Sequence, residues 1–290
     1  MTRPERKMRA YAEEFPRPIE SDAMTPRHQS RRDQSDKWDN VAAAMPDFFE
    51  APSTRYYRQC EISLLEREIG DLTGKRVLKL DLWNEAINTR ILHWVDARAA
   101  STFGMDLSHV VVSRANRKAR DHGTNVRVAR ADIRDVPFRS NCFDVVYTMG
   151  TIEHVAEYEH AIEEIYRVLK PGGRAVIGVP RRYDIFLRPI VVALLEWLGR
   201  YPYAPERSFS ASALRRSIEK SGLRVRRTTG ILIIPGVLRM LDLLLHTRRL
   251  PFAAVTRPFI RVCEILETRY PASRHLGYLL TMIADKPPAR

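Results

Sequence analysis

The sequence predicts an α/β chain built on a doubly wound, largely parallel sheet. Two observations carry this. Between Lys75 and Val179, short apolar runs alternate with stretches of helical apolar spacing, and such alternation implies parallel pairing with right-handed crossovers. The chain has 290 residues, 44% of them apolar, which supports the core of one large domain with elaborations.

Taken in order, residues 1–40 are polar and charged with few large apolar groups. They read as a mobile segment, at least up to Trp38, preceding a domain over 41–290. Residues 56–69 are expected to form a helix, with Ile62, Leu65 and Ile69 at helical spacing, followed by Gly70 and Gly74. A buried strand is expected over 76–82, a helix over 85–95, a strand over 100–106, a helix over 108–122 and a strand over 126–131. A turn at Arg139-Ser140-Asn141 leads into a strand over 143–148. Residues 157–169 carry Ile162, Ile165, Tyr166 and Leu169 along one helical stripe, stopped by Pro171-Gly172-Gly173 before a strand over 174–179.

After Pro180 the rhythm changes, and helical insertions are expected at about 184–221 and 232–270. The first holds an apolar helix over 190–198 and a second helix over 210–221 that Ser210 can cap. A strand starts at 222–225. Helices over 237–246 and 252–268 follow, the second started or kinked by Pro258. Residues 278–284 supply a closing strand.

The charge is unevenly distributed. Residues 1–70 carry a net −1, residues 71–180 a net +2, and residues 181–290 a net +12. Basic charge beside apolar helices suits an anionic membrane surface or an anionic substrate, and equally a solvated basic face. Nucleic acid is not expected as a partner, because aromatic residues are not interleaved through the basic clusters. Cys60, Cys142 and Cys263 are far apart, with neither metal-ligand nor disulfide-framework spacing, so no metal is expected and a reducing compartment fits. The polar, basic first eleven residues hold no apolar core of a signal peptide. No apolar run reaches the ~18 residues of a membrane span. A cytoplasmic protein, with a peripheral membrane contact as the alternative, is the expectation.

Several pieces resemble the class I S-adenosylmethionine-dependent methyltransferases of small-molecule type. They are Gly104-Met105-Asp106-Leu107-Ser108, Ala131-Asp132-Ile133, the stretch from Phe143 to Glu153-His154-Val155, and Leu169-Lys170-Pro171-Gly172-Gly173. Their order and spacing over about a hundred residues carry the resemblance. It implies a Rossmann-like seven-stranded sheet of order 3-2-1-4-5-7-6 with the seventh strand antiparallel, and S-adenosylmethionine as cofactor. It also implies that Asp106, with Leu107 beside it, meets the ribose hydroxyls, that Asp132 and Ile133 meet the adenine, and that Met149 and Gly150 border the methyl group.

The chain departs from that family at the first strand. The family motif is two apolar residues, an acid, any residue, then Gly-x-Gly-x-Gly. Here the acid becomes Lys79 and the glycines become Asp81, Trp83 and Glu85. A tryptophan does not admit the close backbone approach that glycine allows, and Lys79 would repel the cofactor's positive charge. Either the turn is remodelled, with Asp81 or Glu85 supplying the carboxylate for the cofactor's amino group, or the site is degraded and the domain is a non-catalytic binding or scaffolding module. Remodelling is favoured, because Asp106 and Asp132 are in place and two acids replace the one lost.

Methyl transfer from a sulfonium is an in-line displacement that needs alignment above all. Where the acceptor must lose a proton, His154 is the candidate base; the competing reading is that Glu153 and His154 organise the start of the next helix. Tyr56 and Tyr57 are candidates to cover the site, with core packing as their alternative. The apolar stretches 186–198 and 231–245, near Arg181, Arg182, Arg248 and Arg249, suit a small or lipid-like acceptor with an anionic group, with ordinary core or dimer packing as the favoured alternative.

Overall fold

The computed structural model describes residues 26–186, 188–199, 206–249 and 253–289. Seven strands form one sheet: β1 (Arg76–Lys79), β2 (Ser101–Asp106), β3 (Arg127–Arg130), β4 (Phe143–Met149), β5 (Leu169–Pro180), β6 (Arg224–Ile231) and β7 (Leu279–Asp285). Their order is β3-β2-β1-β4-β5-β7-β6. Strands β1 to β5 pair in parallel, and β7 runs antiparallel to both β5 and β6, as expected.

Alternating side chains feed two cores. On one face Tyr147, Val176 and Ile283 pack with α2 (Pro52–Glu68) and α4 (Ile91–Asp96) through Leu64, Leu65, Ile91 and Val95. On the other, Val146, Ile177 and Met282 pack with α6 (Tyr158–Val168) and α8 (Ala211–Lys220) through Ile162, Ile165, Leu214 and Ile218. Phe103, Phe138 and Phe143 meet edge to face there, with centroids 4.9–5.5 Å apart. Ser210 caps α8 as expected, its hydroxyl accepting from the Ala213 amide at 3.2 Å.

Three differences from expectation matter for the site. The helix expected over 85–95 is two short helices, α3 (Trp83–Ile87) and α4, divided at Arg90, which adopts φ +52°. The Arg90 guanidinium fixes this kink by pairing with Asp47 and lying 4.1 Å from the Phe49 ring centroid. The expected mobility of 1–40 lies outside the described residues as far as residue 25. From Pro26 the chain is helical, as α1 (Pro26–Ala44). That helix is pinned to α5 (His109–Asp121) where Asp39 accepts from the Val110 amide at 3.0 Å and from the Ser108 hydroxyl. Third, β1 ends at Lys79, three residues earlier than expected. Of the two positions expected for Pro258, at the start of the helix or kinking it from within, the structure has it inside α10 (Ala253–Arg269).

The two insertions supply α7 (Arg188–Trp197) and α8 between β5 and β6, and α9 (Gly236–Thr247) and α10 between β6 and β7. No helix among the described residues is long and apolar enough to cross a membrane. The strand order reverses between β1 and β4, so their carboxyl ends open the crevice where ligands bind on sheets of this kind.

Candidate functional site

The end of β1 is built around a buried cation. Lys79 is fully buried, and its ammonium pairs with the Asp81 carboxylate, donates to the Asp81 carbonyl at 2.9 Å and lies 3.6 Å from Glu85. A buried ammonium is tolerated only when paired. Burial alone would lower its pKa, but Asp81, Glu85 and Glu61 outweigh that and hold it above the ordinary lysine value. The second Asp81 oxygen accepts from the Met149 amide at 3.2 Å, tying the turn to the end of β4. Lys79 is therefore neutralised within the turn and does not stand as a bare charge facing a ligand.

Glu85 takes a structural position. Its Oε2 accepts from the Leu92 amide at 3.1 Å, satisfying one of the free N–H groups at the start of α4. Burial pushes its carboxyl up to about 7, against the pull of Lys79. Glu85, expected as a possible carboxylate donor to a cofactor, is not among the residues that line the cavity described below. Asp81 does reach the cavity, already engaged with Lys79.

Asp106 ends β2. It accepts from the amides of Leu82 and Ser108, each at 2.9 Å, so its carboxylate bridges the β1 turn and the start of α5. Burial raises its pKa to about 6, opposed by those two amides. Asp132, after β3, is clasped by Arg134 (Nε–Oδ1 2.9 Å, Nη2–Oδ2 2.6 Å) and by Arg31 of α1 at 3.3 Å. Arg134 also donates to Gln34 at 3.1 Å, and Gln34 donates to the His154 carbonyl at 3.3 Å. Helix α1 is thereby stitched across the ends of β3 and β4.

Beyond β4, Gly150 has φ +79°, a left-handed conformation that glycine takes at no steric cost. It turns the chain into a short 3₁₀ helix, Ile152–His154. Glu153 is buried there, and desolvation drives its carboxyl well above the usual range. Among the described residues its Oε2 has no hydrogen-bond partner. The Trp38 ring meets Trp83 and His154 edge to face, with centroids 5.7 and 5.0 Å away.

These groups line one cavity of about 320 Å³. Asp81, Asp106, Leu107, Asp132, Ile133, Met149 and His154 all border it, as does Tyr57. Tyr56 instead bonds Glu267 and accepts from the Ile233 amide at 3.1 Å, inside the core. Gln34, Trp38, Arg134 and Glu153 were not among the residues expected to bind or react. Trp38 had a legible signal, a lone large aromatic in a polar stretch. The cavity continues between the insertions, where Phe186, Val191, Val192 and Leu195 face Val237, Met240 and Leu243. An ion pair of Arg188 with Glu206, and Arg239 near the Tyr57 ring (5.2 Å), are its polar features there.

Residues 85–177 match the family described as a methyltransferase domain. The chain is 34% identical over 146 residues to the demethylmenaquinone methyltransferase of Thermus thermophilus, covering 45% of this chain and 66% of that protein. It is 29% identical over 122 residues to the ubiquinone/menaquinone biosynthesis C-methyltransferase of Geotalea daltonii, covering 37% and 52%. The chain thus spans between about half and two thirds of the length of these relatives. Among solved structures, the [4+2]-cyclase SpnF aligns with a TM-score of 0.58 over 90% of this chain and 95% of that one, at 19% identity, a likeness of fold.

Proposed function

We propose, from a chain that carries a class I S-adenosylmethionine-dependent methyltransferase domain, that the protein transfers a methyl group from S-adenosylmethionine to a small, largely apolar acceptor. The observation that supports this is the single cavity joining an acidic end at β1, β2 and β4 to an apolar end between α7 and α9.

The donor set fits the cofactor's chemistry. S-adenosylmethionine carries a sulfonium, an ammonium and one carboxylate, a net positive charge, beside a flat adenine. Asp81, Asp106 and Glu153 bring carboxyl groups to the cavity, among Leu80, Leu107, Ile133 and Met149. Among the described residues the buried Glu153 Oε2 has no hydrogen-bond partner, and a bound cofactor could satisfy it. In this reading Asp106 accepts from the ribose hydroxyls with the lone pairs its two amide bonds leave free. Ile133 and Leu107 cover the adenine, and Asp132 meets its amino group while Arg134 fixes the carboxylate. Asp81 shares its charge between Lys79 and the cofactor's ammonium.

When bound, the cofactor supplies an electrophilic methyl for in-line displacement. The chain's part is alignment and exclusion of water. Trp38 and Trp83 close one wall, and Met149 and Gly150 border the transfer point. His154, edge-on to Trp38, takes the acceptor's proton where the acceptor has one to lose. The relatives' names point to quinone-type acceptors, and an aromatic head beside His154 with an apolar tail between α7 and α9 is the acceptor class this cavity suits.

One observation favours a second reading. The Lys79 ammonium sits on Asp81 where a cofactor's ammonium would be received, as in a fold retained for binding other than methyl transfer. Calorimetric titration with S-adenosylmethionine and S-adenosylhomocysteine separates the two. Micromolar binding is expected; no binding by folded protein would overturn the methyl-transfer reading.

A further inference from the structure

Three neighbouring helices turn apolar side chains to solvent on the side where the cavity opens. On α7, Val191, Val192 and Leu195 line the cavity, while Ile190, Leu194 and Trp197 form the opposite, exposed stripe, with Trp197 81% exposed. On α9, Asp242 is buried and Leu238 and Leu243 pack on the core, while Leu241 and Leu244 face outward. On α10, Thr256, Ile260 and Glu267 are buried, and Val255, Phe259, Val262 and Leu266 are exposed. Each set recurs at three- and four-residue spacing, as one face of a helix does. Val237 and Met240 of α9 belong to both groups, since they line the cavity and are 64% and 52% exposed. They place the cavity's mouth on this apolar face.

The charges on α9 and α10 are sorted by sign. Of the three acids in 236–269, Asp242 and Glu267 are buried, and Glu264 is held by Arg261 at 2.7 Å. Arg248, Arg249, Arg257, Arg261 and Arg269 are exposed. An outward apolar stripe with Arg248, Arg249 and Arg269 at its helix ends (Arg257 and Arg261 project from the far side of α10), on helices too short to span, suits a surface that lies in a membrane interface. A second copy of the chain would bring the same arginines face to face.

We propose that α7, α9 and α10 dock on an anionic lipid bilayer, with the cavity mouth at the acyl boundary, so that an apolar acceptor enters from the membrane. Arrival of the acceptor by this route rests on the methyl-transfer reading; the docking itself does not.

The test is co-sedimentation of the full chain, without cofactor or acceptor, with vesicles of phosphatidylglycerol and phosphatidylcholine or of phosphatidylcholine alone. Binding to the anionic vesicles is expected, falling at least about tenfold on neutral ones and declining with added salt. Trp197→Ser with Phe259→Ser, and separately Arg248→Glu with Arg249→Glu, should each lower the partition coefficient at least about tenfold. Both should keep the circular dichroism spectrum and the affinity for S-adenosylmethionine; if the first pair misfolds, the arginine pair carries the test. No binding to anionic vesicles, or binding indifferent to both pairs, overturns the proposal. So does a stable dimer that dissociates on Trp197→Ser, because a second copy then covers the face. Vesicle binding without cofactor binding would remove the methyl-transfer reading and leave the docking intact.

Discussion

The Lys79 ammonium and the Asp81 carboxylate form a buried ion pair at the end of β1, where backbone glycines would otherwise meet a ligand. The pair closes the turn by charge rather than by close backbone approach. Asp81 also holds the Met149 amide, so the pair couples the end of β1 to the end of β4.

Removing the cation alone should be costly. Lys79→Met leaves Asp81, Glu85 and Glu61 buried without their counter-charge, and breaking a buried pair from one side costs about 3–5 kcal/mol. Urea denaturation should show that loss. A shift below about 1 kcal/mol would mean that water or rearrangement replaces the ammonium.

Asp106→Ala should weaken S-adenosylmethionine binding at least about tenfold, the equivalent of ~1.4 kcal/mol. It also frees the Leu82 and Ser108 amides, so the variant's thermal melt must accompany the titration. Unchanged affinity in a folded variant would contradict the placement of the ribose.

Stability should depend on pH through Glu85. Its carboxyl rises from 4.5 to about 7 on folding, so the folded state binds protons more tightly than the unfolded one. Its contribution is therefore fully present below about pH 4.5 and is lost as pH rises through about 7. Relative to Glu85→Gln, the wild-type chain should lose stability between those values in urea titrations. A difference that is flat or grows with pH would contradict this.

His154→Ala should abolish or strongly reduce methyl transfer while leaving S-adenosylmethionine affinity within about threefold, if His154 acts as the base. Trp38→Ala should instead weaken binding and transfer together, because Trp38 walls the cavity. Single-turnover assays with a quinone-type acceptor, alongside calorimetry, separate these outcomes.

The sheet was legible because strand and helix periods alternate from β1 to β5, with only the link from β3 to β4 lacking a helix. Ser210 as a cap and the reversed seventh strand followed from local chemistry and from the family resemblance respectively. The β1 turn was only half legible. Composition marked it as unusual, but Lys79 reads in one dimension as a repulsive charge, and only the fold shows Asp81 and Glu85 closing around it. Glu85 looked available because its capping bond to Leu92 spans a kink at Arg90, where no glycine announces a left-handed residue. Trp38 stood out as a lone aromatic, but its contacts and those of Gln34 were hidden for another reason: their partners, Trp83, His154 and Arg134, lie 45 or more positions along the chain.

Because α1 contributes Gln34 and Trp38 to the cavity wall and Asp39 to the start of α5, the ligand chamber extends upstream of the sheet that gives the domain its fold. A chain begun at α2 would keep most of both cores but leave the chamber open on one side. Its failure to bind would then report the cloning boundary rather than the chemistry. Expression strategies should start no later than Pro26 and place tags at the other end.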